Sequence, residues 1–282
     1  MNKKILLVII AFTGSIMANA QAFGDRKPQA FIDIYQKSIS EAKKINYPYL
    51  READVMYAKY VYRLVDLREK INQPLYYPTV PTNDGRKNFL SILLEEIKAG
   101  RVKAYSTLDP KMPTTYEDIE NNMGATSRNE TLQINAQGDT KDTTIIEAAK
   151  PEEVKQLLIY EEWFFDKKLS KLDVRIIAIE PFYMAYDNQL GRVSRRGLFW
   201  VNFDEIRDIL AKHEVFMTNN DAQRISYDDL FMQRRFGSII YGESNVYSDR
   251  QINQYLTGKA ALFEAERIKN DLFNYEHDLW EY

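Results

Sequence analysis

Two stretches set the fold class: residues 157–167 read LLIYEEWFFDK, and residues 172–186 read LDVRIIAIEPFYMAY. Both are rich in the β-branched and aromatic side chains that favour strands, and residues 192–203 give a third candidate strand. The turn residues at 187–191 predict a hairpin between the last two. Pro181 lacks a backbone N–H, so it predicts an edge strand or a bulge at that point.

Helices are expected on both sides of these strands. Apolar residues at helical spacing predict helices at residues 31–42, 54–72 and 86–99, a short strand at 102–105, and further helices at 204–212 and 227–236. The clearest pattern is C-terminal, where apolar residues alternate steps of four and three and predict a long amphipathic helix. Its seam consists of Ala261, Ala265, Ile268, Leu272, Tyr275 and Leu279.

Residues 118–150 have a different composition, dominated by Asn, Gly, Thr, Glu, Asp and Gln. Such a segment buries little apolar surface, so it predicts a long flexible polar loop. The expected organisation is a signal peptide at 1–20, an N-terminal helical region at 21–117, this loop at 118–150, and an α+β region at 151–282. The expected fold class is therefore α+β, with a small mostly antiparallel sheet, packed helices and a long C-terminal helix.

The N-terminus has the pattern of a secretory signal peptide. Lys3 and Lys4 precede an apolar run, and Ala18 and Ala20 give the small-x-small cleavage pattern before Gln21. No cysteine follows to accept a lipid, so the mature chain is expected to be exported without an anchor of its own. The formal charge of −3 argues against nucleic acid as a partner, since the phosphate backbone selects basic surfaces.

Residue types give little support for catalysis. The chain has no cysteine and two histidines, His213 and His277, neither with a second histidine at i+4. Phosphate-binding and dinucleotide-binding glycine motifs are missing from the sequence. We expect no catalytic residues, no cofactor and no metal. A carboxylate-based hydrolase stays open, with Glu161 and Glu162 as the first acids to consider, although neighbours on a strand point to opposite faces.

Aromatic and basic clusters point instead to binding. We expect a partner interface to draw on Trp163, Phe165, Arg192, Arg195, Arg196, Tyr275, Leu279 and Trp280. The aromatic residues could equally fill the core, and the arginines could form a solvated hairpin tip. The nineteen tyrosines could likewise line the core or form a contact surface.

Several segments resemble the gliding-motility GldN/PorN family of the type IX secretion system of Bacteroidetes. The similar segments are residues 66–78 (DLREKINQPLYYP), 162–167 (EWFFDK), 173–177 (DVRII), 220–224 (NDAQR), 227–231 (YDDLF), 243–247 (ESNVY) and the tail 266–282. Together they cover the chain from about residue 53 to the end, except for the polar loop.

The resemblance implies a non-enzymatic periplasmic scaffold. Such a subunit would associate with an outer-membrane lipoprotein, GldK or PorK, in a large ring, and would contact the periplasmic part of the motor subunit GldM or PorM. It would reach the outer membrane only through the lipoprotein. The alternatives are a secreted carboxylate-based hydrolase and a cell-wall-binding module that stacks sugars on Trp163 or Trp200.

Overall fold

The computed structural model describes residues 42–82, 85–133, 140–147, 149–187, 191–216 and 225–278. In chain order, the strands and helices of this part are β1 (Val55–Asp66), α1 (Gln73–Tyr76), α2 (Phe89–Lys98), β2 (Ala104–Tyr105), β3 (Pro113–Thr114), α3 (Tyr116–Asn122), β4 (Thr126–Gln133), β5 (Thr140–Glu147), β6 (Val154–Asp166), β7 (Lys171–Asp187), β8 (Arg192–Gly197), β9 (Trp200–Asn202), α4 (Phe203–Leu210), β10 (Glu214–Val215), β11 (Ile225–Ser226), α5 (Tyr227–Met232), β12 (Ile239–Glu243) and α6 (Lys259–Asp278). The predicted α+β class is confirmed. The signal-peptide positions Ala18, Ala20 and Gln21 lie outside the described residues.

One antiparallel sheet organises the fold. Its strand order is β12-β1-β6-β7-β9-β2-β3, and β8 pairs with β7 beside β9. The long strands β6 and β7 pair from Val154↔Tyr183 to Asp166↔Lys171, as the two quoted stretches predict. Strand β1 pairs along the other edge of β6, so residues on both sides of the segment 118–150 contribute to the same sheet.

The predicted helix at residues 54–72 is wrong, because most of this segment forms strand β1. The segment is extended through Asp66 and then turns into the short helix α1. Odd-numbered residues such as Val61 and Val65 face one side of the sheet, and Tyr62 and Leu64 face the other. Because both faces are covered, apolar residues occur on both, and their spacing along the strand also satisfies the spacing of an amphipathic helix.

Residues 118–150 also differ from the predicted loop. Helix α3 ends within them at Asn122, and β4 and β5 then pair in register from Thr126↔Glu147 to Gln133↔Thr140. The Met123 carbonyl accepts a hydrogen bond of 3.2 Å from Lys150 N and closes the base of this hairpin. A capping box between Thr115 and Asp118 starts α3, and that pattern was the missed sequence signal.

The predicted hairpin between β7 and β8 is confirmed by the pairs from Phe182↔Gly197 to Asp187↔Arg192. Strand β7 is not an edge strand, since β6 flanks it on one side and β8 and β9 on the other. Pro181 lies where β8 gives way to β9, and its carbonyl accepts a 3.0 Å bond from Leu198 N. A residue without an N–H is tolerated there because the neighbouring strand is interrupted.

Helices cover one face of the sheet. Residues of α2, α4 and α5, including Phe89, Phe203 and Phe231, pack with Val65 and Ile159 in the main core. The seam of α6 packs Ala265, Ile268 and Leu272 against Val61 and Ile240. The predicted helices at 86–99, 204–212 and the C-terminus are confirmed, and that at 227–236 ends earlier, at Met232. Of the helix predicted at 31–42, only residue 42 is described, and it is not helical.

The opposite face carries a separate apolar cluster. All its described members belong to strands: Leu64, Leu158, Ala178, Phe182, Trp200 and Tyr241 are buried, and Tyr62, Tyr105, Tyr160 and Ile177 are partly buried beside them. Within the described residues, this face is therefore covered by its own large side chains.

Candidate interaction surfaces

The two acids considered for hydrolysis do not form a site together. Glu161 and Glu162 are neighbours on β6, and the strand directs them to opposite faces of the sheet. Glu161 is fully buried on the helix-covered face, whereas Glu162 is half-buried on the other. The close carboxylate pair that glycoside hydrolysis requires is not formed by these two residues.

Glu161 instead belongs to a buried ion-pair cluster. Its Oε2 accepts hydrogen bonds of 3.1 Å from Trp163 Nε1 and from Arg234 Nη2, and its Oε1 lies 2.9 Å from the same guanidinium without hydrogen-bond geometry. Burial lowers the pKa of Arg63, while the nearby Glu161 charge opposes that shift. These contacts tie the end of α5 to β6 and are structural.

The aromatic residues predicted for a partner interface differ in how deeply they are buried. Phe165 is buried in the protein, and Trp163 is half-buried and packs beside the α6 seam. Tyr275, also half-buried, packs its ring at a tilt against that of Tyr57, with centroids 4.1 Å apart. The predicted interface residues Leu279 and Trp280 lie outside the described residues.

Strand β8 presents the predicted basic cluster. Arg195 and Arg196 are both exposed, and the side chain of Arg192 is outside the description. The guanidinium of Arg195 lies 5.0 Å from the Phe182 ring centroid and 4.8 Å from that of Tyr241, and it donates to the Tyr241 hydroxyl. Arg195 is thus held in place, whereas Arg196 has no ion pair within the described chain.

Glu180 lies beside Arg195 on the same face. Burial raises its pKa to about 8, and the Arg195 charge only partly opposes this effect. The Glu180 carboxyl can occupy this position because residue 197 is a glycine. A Cβ atom on residue 197 would lie 2.1 Å from Glu180 Oε1.

The two histidines do not form a metal site. His213 follows α4, and its pKa is lowered by burial and then by the Lys87 charge. His277 is exposed near the end of α6. Among the residues that the structure describes, no cluster of three metal-ligating side chains occurs.

A surface of tyrosines on the strand-only face was missed at the sequence level. The Tyr160 ring stacks on that of Tyr60, with centroids 5.4 Å apart, and lies tilted against that of Tyr62, with centroids 4.8 Å apart. We call these three residues the tyrosine face. Tyr60 is 36% exposed. The sequence signal is a pair of tyrosines at i and i+2, which share a face on a strand such as β1 but not on the helix predicted for this segment.

A cavity of about 380 Å³ lies at the proline-rich turn after α1. Pro74, Tyr77, Pro78, Phe216 and Tyr227 contribute its apolar lining, and the Tyr77–Pro78 peptide bond is cis. The Tyr227 hydroxyl donates to the Lys87 carbonyl at 2.9 Å and thereby fixes one wall.

No helix in the described ranges is long and apolar enough to cross a membrane. The chain is an α+β protein with a mostly antiparallel sheet. Helices cover one face of the sheet, and the other face carries aromatic and charged side chains.

Comparison with known proteins gives the family. Residues 50–281 match the profile of the family described as gliding motility associated protein GldN. The chain belongs to this family, and it is therefore a component of the gliding-motility and type IX secretion machinery. The family is one of structural components and is not a known enzyme family. A search of curated proteins finds no match.

Proposed function

We propose that the mature chain is a non-enzymatic structural subunit in the periplasm that binds an outer-membrane lipoprotein of the GldK/PorK type. The two proteins form a ring beneath the outer membrane, and this subunit couples the ring to the periplasmic part of a GldM/PorM-type motor protein. The family match over residues 50–281 carries the proposal. The exposed arginines of β8 and the tyrosine face provide binding surfaces of the required kind.

Co-expression tests the ring directly. The chain is produced with its own leader together with the lipoprotein from the same organism, and the purified assembly is measured by size exclusion and electron microscopy. Ring-like particles that contain both chains are expected. Separate elution of the two proteins under mild conditions would contradict the proposal. Each protein expressed alone is the control.

Export is tested at the proposed cleavage site between Ala20 and Gln21. N-terminal sequencing of the periplasmic protein should begin at Gln21. The substitution Ala20→Leu should block processing because signal peptidase requires a small residue there, whereas Ala11→Leu in the apolar run should not. Normal processing of the Ala20→Leu chain would contradict the assigned site.

The two alternatives have less support. Glu161 and Glu162 face opposite sides of the sheet, and Trp200 is only 8% exposed, which leaves little surface for stacking a sugar. Pull-down on isolated cell wall should accordingly retain no more of the chain than of an unrelated periplasmic protein.

A further inference from the structure

Two large side chains project into solvent beside the tyrosine face. They belong to residues 244–250, which follow β12 and which we call the tip loop. Ser244 N donates to the Tyr60 carbonyl at 2.8 Å and fixes the start of this loop against β1. Val246 and Tyr247 are 91% and 75% exposed. An aliphatic and an aromatic side chain that lie together in solvent are typical of a surface that binds another protein.

Hydrogen bonds to Asn245 hold the tip loop in one shape. Its Oδ1 accepts from Tyr247 N at 3.0 Å and from Arg250 N at 3.2 Å, and its Nδ2 donates to the carbonyls of Glu243 and Arg250 at 3.1 and 3.0 Å. Asn245 N donates in turn to Asp249 Oδ1 at 3.1 Å. The loop therefore does not have to become ordered when it docks, which lowers the entropic cost of binding.

The backbone of the tip loop is strained at two consecutive residues. Ser248 and Asp249 have φ angles of 59° and 54°, in the left-handed region that residues other than glycine seldom adopt. Such conformations persist where surrounding contacts enforce them, and they cluster at binding sites. The strained turn thus supports a binding role for the tip loop.

Two carboxylates flank the hydroxyl groups of the tyrosine face. The negative charge of Glu162 is the largest of the causes that raise the pKa of Tyr60. Asp249 of the tip loop raises the pKa of Tyr62, after the larger effect of burial. Both carboxylates raise the pKa of Tyr160, after burial and the neighbouring tyrosines. The surface beside the tip loop is therefore negatively charged.

Neither carboxylate is neutralised by an ion pair within the described part of the chain. Glu162 lies opposite Arg175 in the pairing of β6 with β7. The Arg175 guanidinium, however, lies 5.1 Å from the Phe164 ring centroid and donates to the Pro48 carbonyl at 2.9 Å. Asp249 accepts a backbone hydrogen bond, which leaves its charge uncompensated. A cation supplied by a partner would complete the site.

The same face of the sheet already holds one arginine of this chain. The Arg195 guanidinium reaches it from β8, lies 4.8 Å from the Tyr241 ring centroid and 5.0 Å from that of Phe182, and donates to the Tyr241 hydroxyl. Its charge acts on Glu180, whereas the charges that act on the tyrosine face are those of the two carboxylates. A guanidinium among aromatic rings beside a carboxylate is thus a stable arrangement on this face, and the tyrosine face offers the same groups to a partner.

We propose that the tip loop and the tyrosine face together bind a basic segment of a partner protein in the secretion machinery. Val246 and Tyr247 enter an apolar recess of that partner. A lysine or arginine beside the recess pairs with Glu162 and Asp249 and contacts the tyrosine rings. This inference rests on the proposed function, and it assigns the surface and the chemistry through which the chain binds.

Removal of the apolar anchor tests the surface. The full chain is co-expressed with the lipoprotein and with the periplasmic part of the motor protein, and the affinity for each is measured on the purified proteins. Val246→Ser/Tyr247→Ser should weaken binding of at least one partner by about tenfold or more, with urea unfolding unchanged. Leu262→Ser on α6, a residue that is 56% exposed and lies outside this surface, is the matched control and should bind both partners like wild type. Unchanged binding of both partners by the anchor variant would overturn the proposal.

Neutralisation of the carboxylates tests the predicted chemistry of the partner. Glu162→Gln/Asp249→Asn keeps the side-chain shapes, and asparagine tolerates the left-handed backbone at residue 249. This variant should bind the same partner more weakly, and its affinity should depend less on salt concentration, because fewer charges are paired across the interface. The same salt dependence as wild type would show that the partner segment is not basic.

Failure of this inference can be distinguished from failure of the proposed function. A wild-type chain that binds neither the lipoprotein nor the motor protein would contradict the proposed function and, with it, this inference. A wild-type chain that binds them, together with variants that bind equally well, would overturn this inference alone.

Discussion

Arg207 on α4 and Asp228 on α5 form a buried ion pair, with Nε 2.8 Å from Oδ1 and Nη2 3.2 Å from Oδ2. The same guanidinium donates to the Ile45 carbonyl at 2.6 Å and lies 4.4 Å from the Tyr47 ring centroid. One fully buried arginine therefore joins two helices and the segment that precedes β1.

Asp228→Ala should lower the free energy of unfolding by about 3–5 kcal/mol, because it leaves the Arg207 charge buried without its partner. Urea unfolding of the full chain measures the change. Arg267→Gln removes two surface ion pairs on α6, with Glu264 and Asp271, and should change stability by about 0–1 kcal/mol. Similar losses for the two variants would contradict the importance of the buried pair.

The C-terminal helix is required for the fold. Its seam covers Val61 and Ile240, so truncation before Lys259 should expose that apolar surface and lead to aggregation or loss of partner binding. Ile268→Ala should cost about 2–5 kcal/mol because it creates a cavity. Phe273→Ser, on the outer side of the helix and 64% exposed, is the matched control and should leave stability almost unchanged. A truncated protein that stays folded and bound would contradict this prediction.

The β4–β5 hairpin should be dispensable for folding. Its strands pair with each other, and the Met123–Lys150 hydrogen bond holds its base together. Replacing residues 126–147 with a short Gly-Ser linker should therefore change the free energy of unfolding by less than about 1 kcal/mol. If the variant folds but no longer assembles with the lipoprotein, the hairpin is a binding element; if it fails to fold, the prediction is wrong.

Glu180 should make stability fall as pH rises through the neutral range. Burial raises its folded-state pKa to about 8 from an ordinary value of 4.5, so between these values the folded state holds a proton that the unfolded state has lost. One such proton gives a slope of at most about 1.4 kcal/mol per pH unit, and the stabilisation it provides is complete only below pH 4.5.

The measurement compares urea unfolding of wild type and Glu180→Gln at several pH values. The lowered pKa of His213 gives an opposite trend at acidic pH, since its neutral folded form loses stability as pH falls. That effect is common to both proteins and cancels in their difference. A difference in stability that does not vary with pH would show that Glu180 ionises normally in the folded protein.

Local sequence was sufficient to predict those strands and helices whose residue pattern matches the structure they adopt. The paired strands β6 and β7 follow from runs of Ile, Val, Phe and Tyr, and α6 follows from its seam of fours and threes. The hairpin at 187–191 follows from turn residues. The family resemblance could also be established from segments of sequence, and residues 50–281 confirm it.

Tertiary structure decided what depends on partners distant in the chain. Strand β1 is extended because β6 and β12 offer their backbone groups on both edges, and its apolar residues face two covered sides rather than one. The tyrosine face depends on the same pairing, which brings Tyr160 from β6 against Tyr60 and Tyr62 of β1. The sequence alone determined which segments could form strands and helices, because those preferences are local. Which side chains share a surface was decided only by long-range pairing and burial.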